Sequence, residues 1–144
     1  MDVYHNPDEI VQSWYPVIAS KKLKKGKVKS YWLNSVKIAI YRMSDGKVKA
    51  LDSRCPHLGT DLSGGKLHND QLQCPFHHWE FNGDGMCTKI PSGAKIPSTG
   101  STFSFPTEEK YGYVWVFAGT DPLFPIPEIE GFPESSLIQY VLQE

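Results

Sequence analysis

Four residues carry the chemistry written most clearly into this chain: Cys55, His57, Cys74 and His77. They lie in two stretches, Cys55-Pro56-His57-Leu58-Gly59 and Cys74-Pro75-Phe76-His77-His78-Trp79, and read C-x-H, sixteen residues, C-x-x-H. Each stretch offers one thiolate and one imidazole, so together they supply two sulfur and two nitrogen ligands. A zinc finger usually groups cysteine with cysteine and histidine with histidine along the chain. Splitting each pair by type suits a binuclear iron–sulfur cluster better, with both cysteines on one iron, both histidines on the other, and each loop reaching across the pair. A zinc-stabilised binding module is the competing reading of the same residues. Pro56 and Pro75 stiffen the backbone beside each cysteine, and Gly59 lets a backbone come close to inorganic sulfide.

The elements that must hold these loops read as strands. Tyr15–Ala19, Val28–Leu33, Val36–Tyr41 and Val48–Asp52 are short, rich in β-branched or aromatic residues, and separated by turn chemistry at Asn34-Ser35 and Ser44-Asp45-Gly46. Gln71–Cys74, Trp79–Phe81, Met86–Ile90, Thr102–Phe105 and Tyr111–Phe117 continue the pattern, with Asn82-Gly83-Asp84-Gly85 as a further hairpin turn. Tyr113-Val114-Trp115-Val116-Phe117 is apolar throughout and predicts a strand buried on both faces. Helical signal is confined to a turn or two near Pro7–Val11, capped by Asn6. The expectation is an all-β antiparallel sandwich or barrel.

Composition supports one globular domain: 144 residues, 40% apolar and 22% charged, enough chain to bury a core without disulfides. No run approaches the roughly 18 apolar residues of a membrane span, and the first residues lack a signal-peptide layout. Three cysteines, an odd number, argue against a secreted disulfide framework and for a reducing, cytoplasmic setting. The net charge of −1 hides an asymmetry: residues 1–54 hold 11 Lys/Arg against 5 acids, residues 55–144 hold 4 against 11. The basic surplus centres on Lys21–Lys29 and reads as a solvated loop leading into a strand, with an acidic redox partner as the alternative use. No aromatic residues interleave those lysines, so nucleic acid is not expected. His5 and His68 have no partner pattern and read as solvated. Cys87 reads as a small buried hydrophobe in a strand.

The two stretches resemble the Rieske [2Fe–2S] family, specifically the N-terminal Rieske domain of Rieske non-haem iron oxygenases. Beyond the four ligands, the resemblance rests on Leu62, Gly65, Trp79, Phe81, Gly83, Gly85, Ile90-Pro91 and Tyr111-Gly112-Tyr113-Val114-Trp115-Val116-Phe117, and it spans about residues 12–127. It implies that Cys55 and Cys74 bind one iron while His57 and His77 bind the other, and it selects His77 over His78, where the family usually has glycine. It also implies a single Rieske domain over residues 1–144: a β-sandwich base (about 12–52 and 80–118), an inserted cluster-binding subdomain (about 53–79) and a Pro-rich acidic tail (119–144). The activity implied is one-electron transfer through the histidine-bound iron, from a reductase or ferredoxin to a mononuclear-iron oxygenase domain. Respiratory-chain members carry an extra cysteine in each loop, and here those positions hold Thr60 and Phe76, so that disulfide cannot form. They also carry a serine and a tyrosine where this chain has Trp79 and Phe81, and losing those hydroxyls predicts a potential at the low end of the family's range.

A Rieske oxygenase also needs a mononuclear iron held by two histidines and a carboxylate, and no histidine follows His78. The tail, Asp121-Pro122-Leu123-Phe124-Pro125-Ile126-Pro127-Glu128, resembles the connector that leads from the Rieske domain into the catalytic domain, with Leu137–Leu142 as that domain's first strand. The expectation is therefore an oxygenase-type Rieske domain, truncated or encoded apart from its catalytic partner. A free-standing Rieske ferredoxin is the alternative.

Overall fold

Alternation in one strand decides the layering. In a computed structural model, which describes residues 11–33, 35–128 and 130–131, the strand Val36–Arg42 has four consecutive buried residues, Ile38 to Tyr41. Successive side chains of a strand point to opposite faces. Ile38 and Ile40 enter one apolar cluster with Val17, Val48, Ala50, Val114 and Val116, while Ala39 and Tyr41 enter another with Leu51, Cys55, Cys74 and Phe81. The strand is thus the centre of three layers.

The chain order is β1 (Trp14–Ala19), β2 (Val28–Leu33), β3 (Val36–Arg42), β4 (Val48–Asp52), β5 (Lys66–His68), β6 (Gln71–Gln73), β7 (Glu80–Phe81), β8 (Cys87–Lys89), β9 (Ser104–Phe105), β10 (Thr107–Lys110) and β11 (Tyr113–Phe117). These form three antiparallel sheets in the orders β1-β11-β10, β2-β3-β4-β9 and β5-β6-β7-β8. The all-β antiparallel expectation holds. The first two sheets pack face to face, and the third covers the other face of β3 and β4. The strands at 80–89, placed with the sandwich base from sequence, join the third sheet instead, β7 pairing with β6 and β8 with β7.

Two other strand assignments change. Tyr111–Phe117 is not one strand: Tyr111 and Gly112 both take left-handed φ values, 54° and 72°, and form the hairpin between β10 and β11. β10 is Thr-Glu-Glu-Lys at a sheet edge, and so gave no apolar signal; β5 is equally short and polar. The turns at 44–46 and 82–85 are as predicted, closed by Met43 N to Lys47 O at 2.9 Å and Asn82 N to Met86 O at 3.0 Å. Leu33 pairs with Val36 across the two-residue loop 34–35.

Residues 124–127 lie over the outer face of the first sheet. Ile126 is 1% exposed against Trp14 and Phe117, and Trp14 Nε1 donates to the Phe124 carbonyl at 2.8 Å. Lys110 and Tyr111 donate to the carbonyls of Ile126 and Pro127. Residues 7–10 of the helical turn expected near Pro7–Val11, His5 and the strand at 137–142 lie outside the described residues, and Val11 itself is in no regular element.

Candidate metal centre

The two stretches fold to one design. Cys55 N donates to Thr60 O at 2.9 Å and Cys74 N to Trp79 O at 2.8 Å, so each cysteine closes its loop by a bond to the residue five further on. In the first loop Gly59, at φ 76°, makes the reversal that an L side chain would resist. That loop is also tied down by Asp61. Its Oδ1 accepts from Ser53 Oγ at 2.7 Å, Ser63 N at 2.8 Å and Ser63 Oγ at 2.6 Å, and its Oδ2 from Lys37 Nζ at 2.6 Å. Burial alone would raise the Asp61 carboxyl, but the hydrogen bonds from Lys37, Ser63 and Ser53 outweigh it and hold it well below the usual carboxylate range. Ser53 N in turn donates to Lys37 O, which fixes the loop to the end of β3.

Within this frame the four residues meet as two pairs. Cys55 and Cys74 are both 2% exposed and their side chains touch. Burial pushes the Cys55 thiol up to about 11, against the pull of backbone N–H groups from His57 and Leu58 aimed at its sulfur, and with help from Cys74. His57 and His77 are exposed, their ring centroids 4.8 Å apart. His57 stacks on Trp79 at 4.6 Å and 8° between planes, and His77 packs on Phe76 at 3.8 Å. Among the described residues no three His, Cys, Asp or Glu side chains gather as the ligands of one ion would. Thiol meets thiol on the dry side, and imidazole meets imidazole on the wet side.

The neighbours sort clearly. His78 is exposed with φ 59°, the left-handed region that favours glycine, which is the residue the family usually has there. Leu58 and Phe76 flank the histidines at 66% and 58% exposure. Cys87 is buried on the inner face of the third sheet, where burial raises its thiol, in keeping with a core role. His68 is not simply solvated: its Nδ1 lies 3.0 Å from the buried Glu80 carboxylate. Lys21–Lys29 is at the far end of β3, where Gly26 N bonds Arg42 O, whereas the first cluster loop leaves the end of β4 beside Lys37, whose carbonyl accepts from Ser53 N. The two ends are separated by roughly 17 Å of strand at ~3.3 Å per residue. Sequence reading missed Asp61, Ser53 and Glu80. Only Asp61-Leu62-Ser63 carried a signal, an aspartate two residues ahead of the N–H it caps.

The donor set fits a Rieske-type [2Fe–2S] cluster by its chemistry: two buried thiols side by side and two exposed imidazoles side by side, carried by the same two loops. Residues 13–103 match the Rieske [2Fe-2S] domain family, and the chain belongs to it. Its cofactor is therefore the Rieske-type [2Fe–2S] cluster. Similar proteins are oxygenase components and related enzymes. The cholesterol 7-desaturase nvd 1 of Ciona intestinalis is 39% identical over 127 residues, covering 85% of this chain and 27% of that protein. The oxygenase component of a 3-ketosteroid-9-alpha-monooxygenase from Rhodococcus rhodochrous is 33% identical, covering 90% of this chain and 34% of that protein. Among solved structures, dicamba monooxygenase bound to dicamba superposes with a TM-score of 0.72 at 36% identity, over 82% of this chain and 37% of that one. The chain thus spans between 27% and 37% of the length of these relatives.

Proposed function

We propose that Cys55 and Cys74 hold one iron and His57 and His77 the other, and that the chain serves as the electron-transfer domain of an oxygenase component. The observation that carries this is the sorting by type: buried thiols together, exposed imidazoles together. Bound there, the cluster supplies a one-electron redox site. The loops keep the cysteine side dry beneath Leu62, Leu72 and Trp79, while His57 and His77 leave their ring edges open to a partner. Electrons would arrive from a reductase or ferredoxin and leave to a mononuclear-iron oxygenase domain. No histidine follows His78, so that iron's two-histidine site would lie outside these residues, on further sequence or a separate polypeptide. The packing of residues 124–127 on Trp14 and Phe117 supports the reading of this segment as a connector. We place the protein in a reducing, cytoplasmic compartment on its odd count of three cysteines, which does not suit a disulfide framework, and no described helix is long and apolar enough to cross a membrane. The domain is read as one unit over 1–144, its cluster-binding part extended from 53–79 to include β7 and β8.

The test is the visible and EPR spectrum of the purified protein and of His77→Ala. A Rieske signal in the first, lost in the second, supports the reading. A colourless protein holding one zinc overturns it, and a signal that survives His77→Ala overturns the ligand assignment.

A further inference from the structure

Glu80 is one of two polar or charged residues buried in the described part of the chain, at 5% exposure. Its Oε1 lies 3.0 Å from His68 Nδ1, accepts from Gln73 Nε2 at 3.1 Å, and is 3.6 Å from the Lys89 ammonium. A buried carboxylate needs hydrogen-bonding and charged partners to offset the loss of water, and Gln73, His68 and Lys89 stand beside this one. The register places it in a row across the third sheet: Lys66 opposite Gln73, Gln73 opposite Glu80, Glu80 opposite Lys89.

Two members of that row stand at the base of the second cluster loop. Gln73 directly precedes Cys74, and Glu80 directly follows Trp79, the two residues whose backbones close the loop. The Gln73–Glu80 hydrogen bond therefore forms a second rung immediately behind the first. The charge is also felt across the sheet: after burial, the Glu80 carboxylate adds to the rise of the Cys87 thiol on the inner face. In a medium of low dielectric such a field falls off slowly.

We infer that Glu80 is a positioning residue for the Cys74–Trp79 loop and that its fixed negative charge holds the midpoint potential of the cluster down, with Lys89 opposing it. This rests on the reading of Cys74 and His77 as ligands. Adding an electron makes the cluster more negative, so a buried anion nearby disfavours reduction and a cation favours it. The row at the base of the loop therefore acts as a built-in bias on electron affinity.

Potentiometric titrations, followed by EPR, of the cluster-loaded wild type, Glu80→Gln and Lys89→Met test this. Glu80→Gln keeps length and an acceptor for Gln73, and its midpoint should rise with the Rieske spectrum intact. Lys89→Met, at a half-exposed position, should lower the midpoint. A purely structural role would move stability without moving the two potentials in opposite directions. An unchanged midpoint in Glu80→Gln, or shifts of the same sign in both variants, overturns the inference. Should Glu80→Gln fail to retain its cluster, Lys89→Met decides alone, and an unchanged or higher midpoint refutes the bias. A wild type with no Rieske spectrum would overturn the ligand reading itself.

Discussion

Removing the Asp61 carboxylate should loosen the first cluster loop by a definite amount. Asp61→Ala deletes the acceptor of three hydrogen bonds and one ion pair. Ser53 is 3% exposed, so its hydroxyl would be left buried without a partner, at a cost of about 1–3 kcal/mol. Loss of the cap on Ser63 N adds about 1 kcal/mol. The Lys37 pair, 31% and 43% exposed, adds only about 0.5 kcal/mol because solvent screens it. The sum is about 3 kcal/mol for Asp61→Ala. Asp61→Asn retains an acceptor oxygen and should cost about 1 kcal/mol, chiefly the lost charge. Both changes act on local opening of the 53–63 loop, which must precede loss of the cluster. Bleaching of the visible absorbance under chelator should therefore run roughly a hundredfold faster in Asp61→Ala, at ~1.4 kcal/mol per tenfold, and only several-fold faster in Asp61→Asn. The same carboxyl sets an acid limit. Its folded-state pKa lies below the unfolded value of about 3.9, so its contribution is complete above that pH and is lost as pH falls below it. Wild-type bleaching should accelerate below about pH 4, and Asp61→Asn should lack that component. Equal bleaching rates in wild type and Asp61→Ala would refute this account of the loop.

Three further outcomes follow from the site. His78→Gly relieves a left-handed φ and should raise stability by up to about 1 kcal/mol, seen as a higher Tm of the cluster-loaded protein; a lower Tm would mean the imidazole makes a stabilising contact. A Cβ on Gly65 would collide with the Gln73 carbonyl at the base of the second loop, so Gly65→Ala should cost about 3 kcal/mol in denaturant unfolding, and a neutral result would show that β5 and β6 can part. Trp79 and Phe81 carry no hydroxyl where respiratory-chain members have a serine and a tyrosine, so the midpoint potential should fall near the low end of the family's range, around −150 mV, and a value above zero would contradict this.

The class of chemistry was readable from residue types and spacing alone, because a cysteine and a histidine within three positions of each other can reach one cofactor whatever the fold. Strands such as Val28–Leu33 and Val48–Asp52 were readable to the residue, since β-branched runs between turn residues state their own limits. β10 was not, because Thr-Glu-Glu-Lys at a sheet edge has no buried face to mark it. Asp61 and Glu80 looked like any surface acid until the fold set Lys37 and Ser53 beside one and His68, Gln73 and Lys89 beside the other.

By itself, then, the sequence determined the type of cofactor, the all-β class and the local turns, all of which depend on neighbours a few residues apart. Only the tertiary structure decided how the two loops meet, with both cysteines at 2% exposure and the exposed histidine rings 4.8 Å apart. It also decided that β7 and β8 belong with the cluster loops and that the lysine-rich segment stands at the far end of β3 from them. Those are contacts between residues distant along the chain. They are set by which faces of three sheets can bury their apolar rows against one another, and no local pattern encodes that.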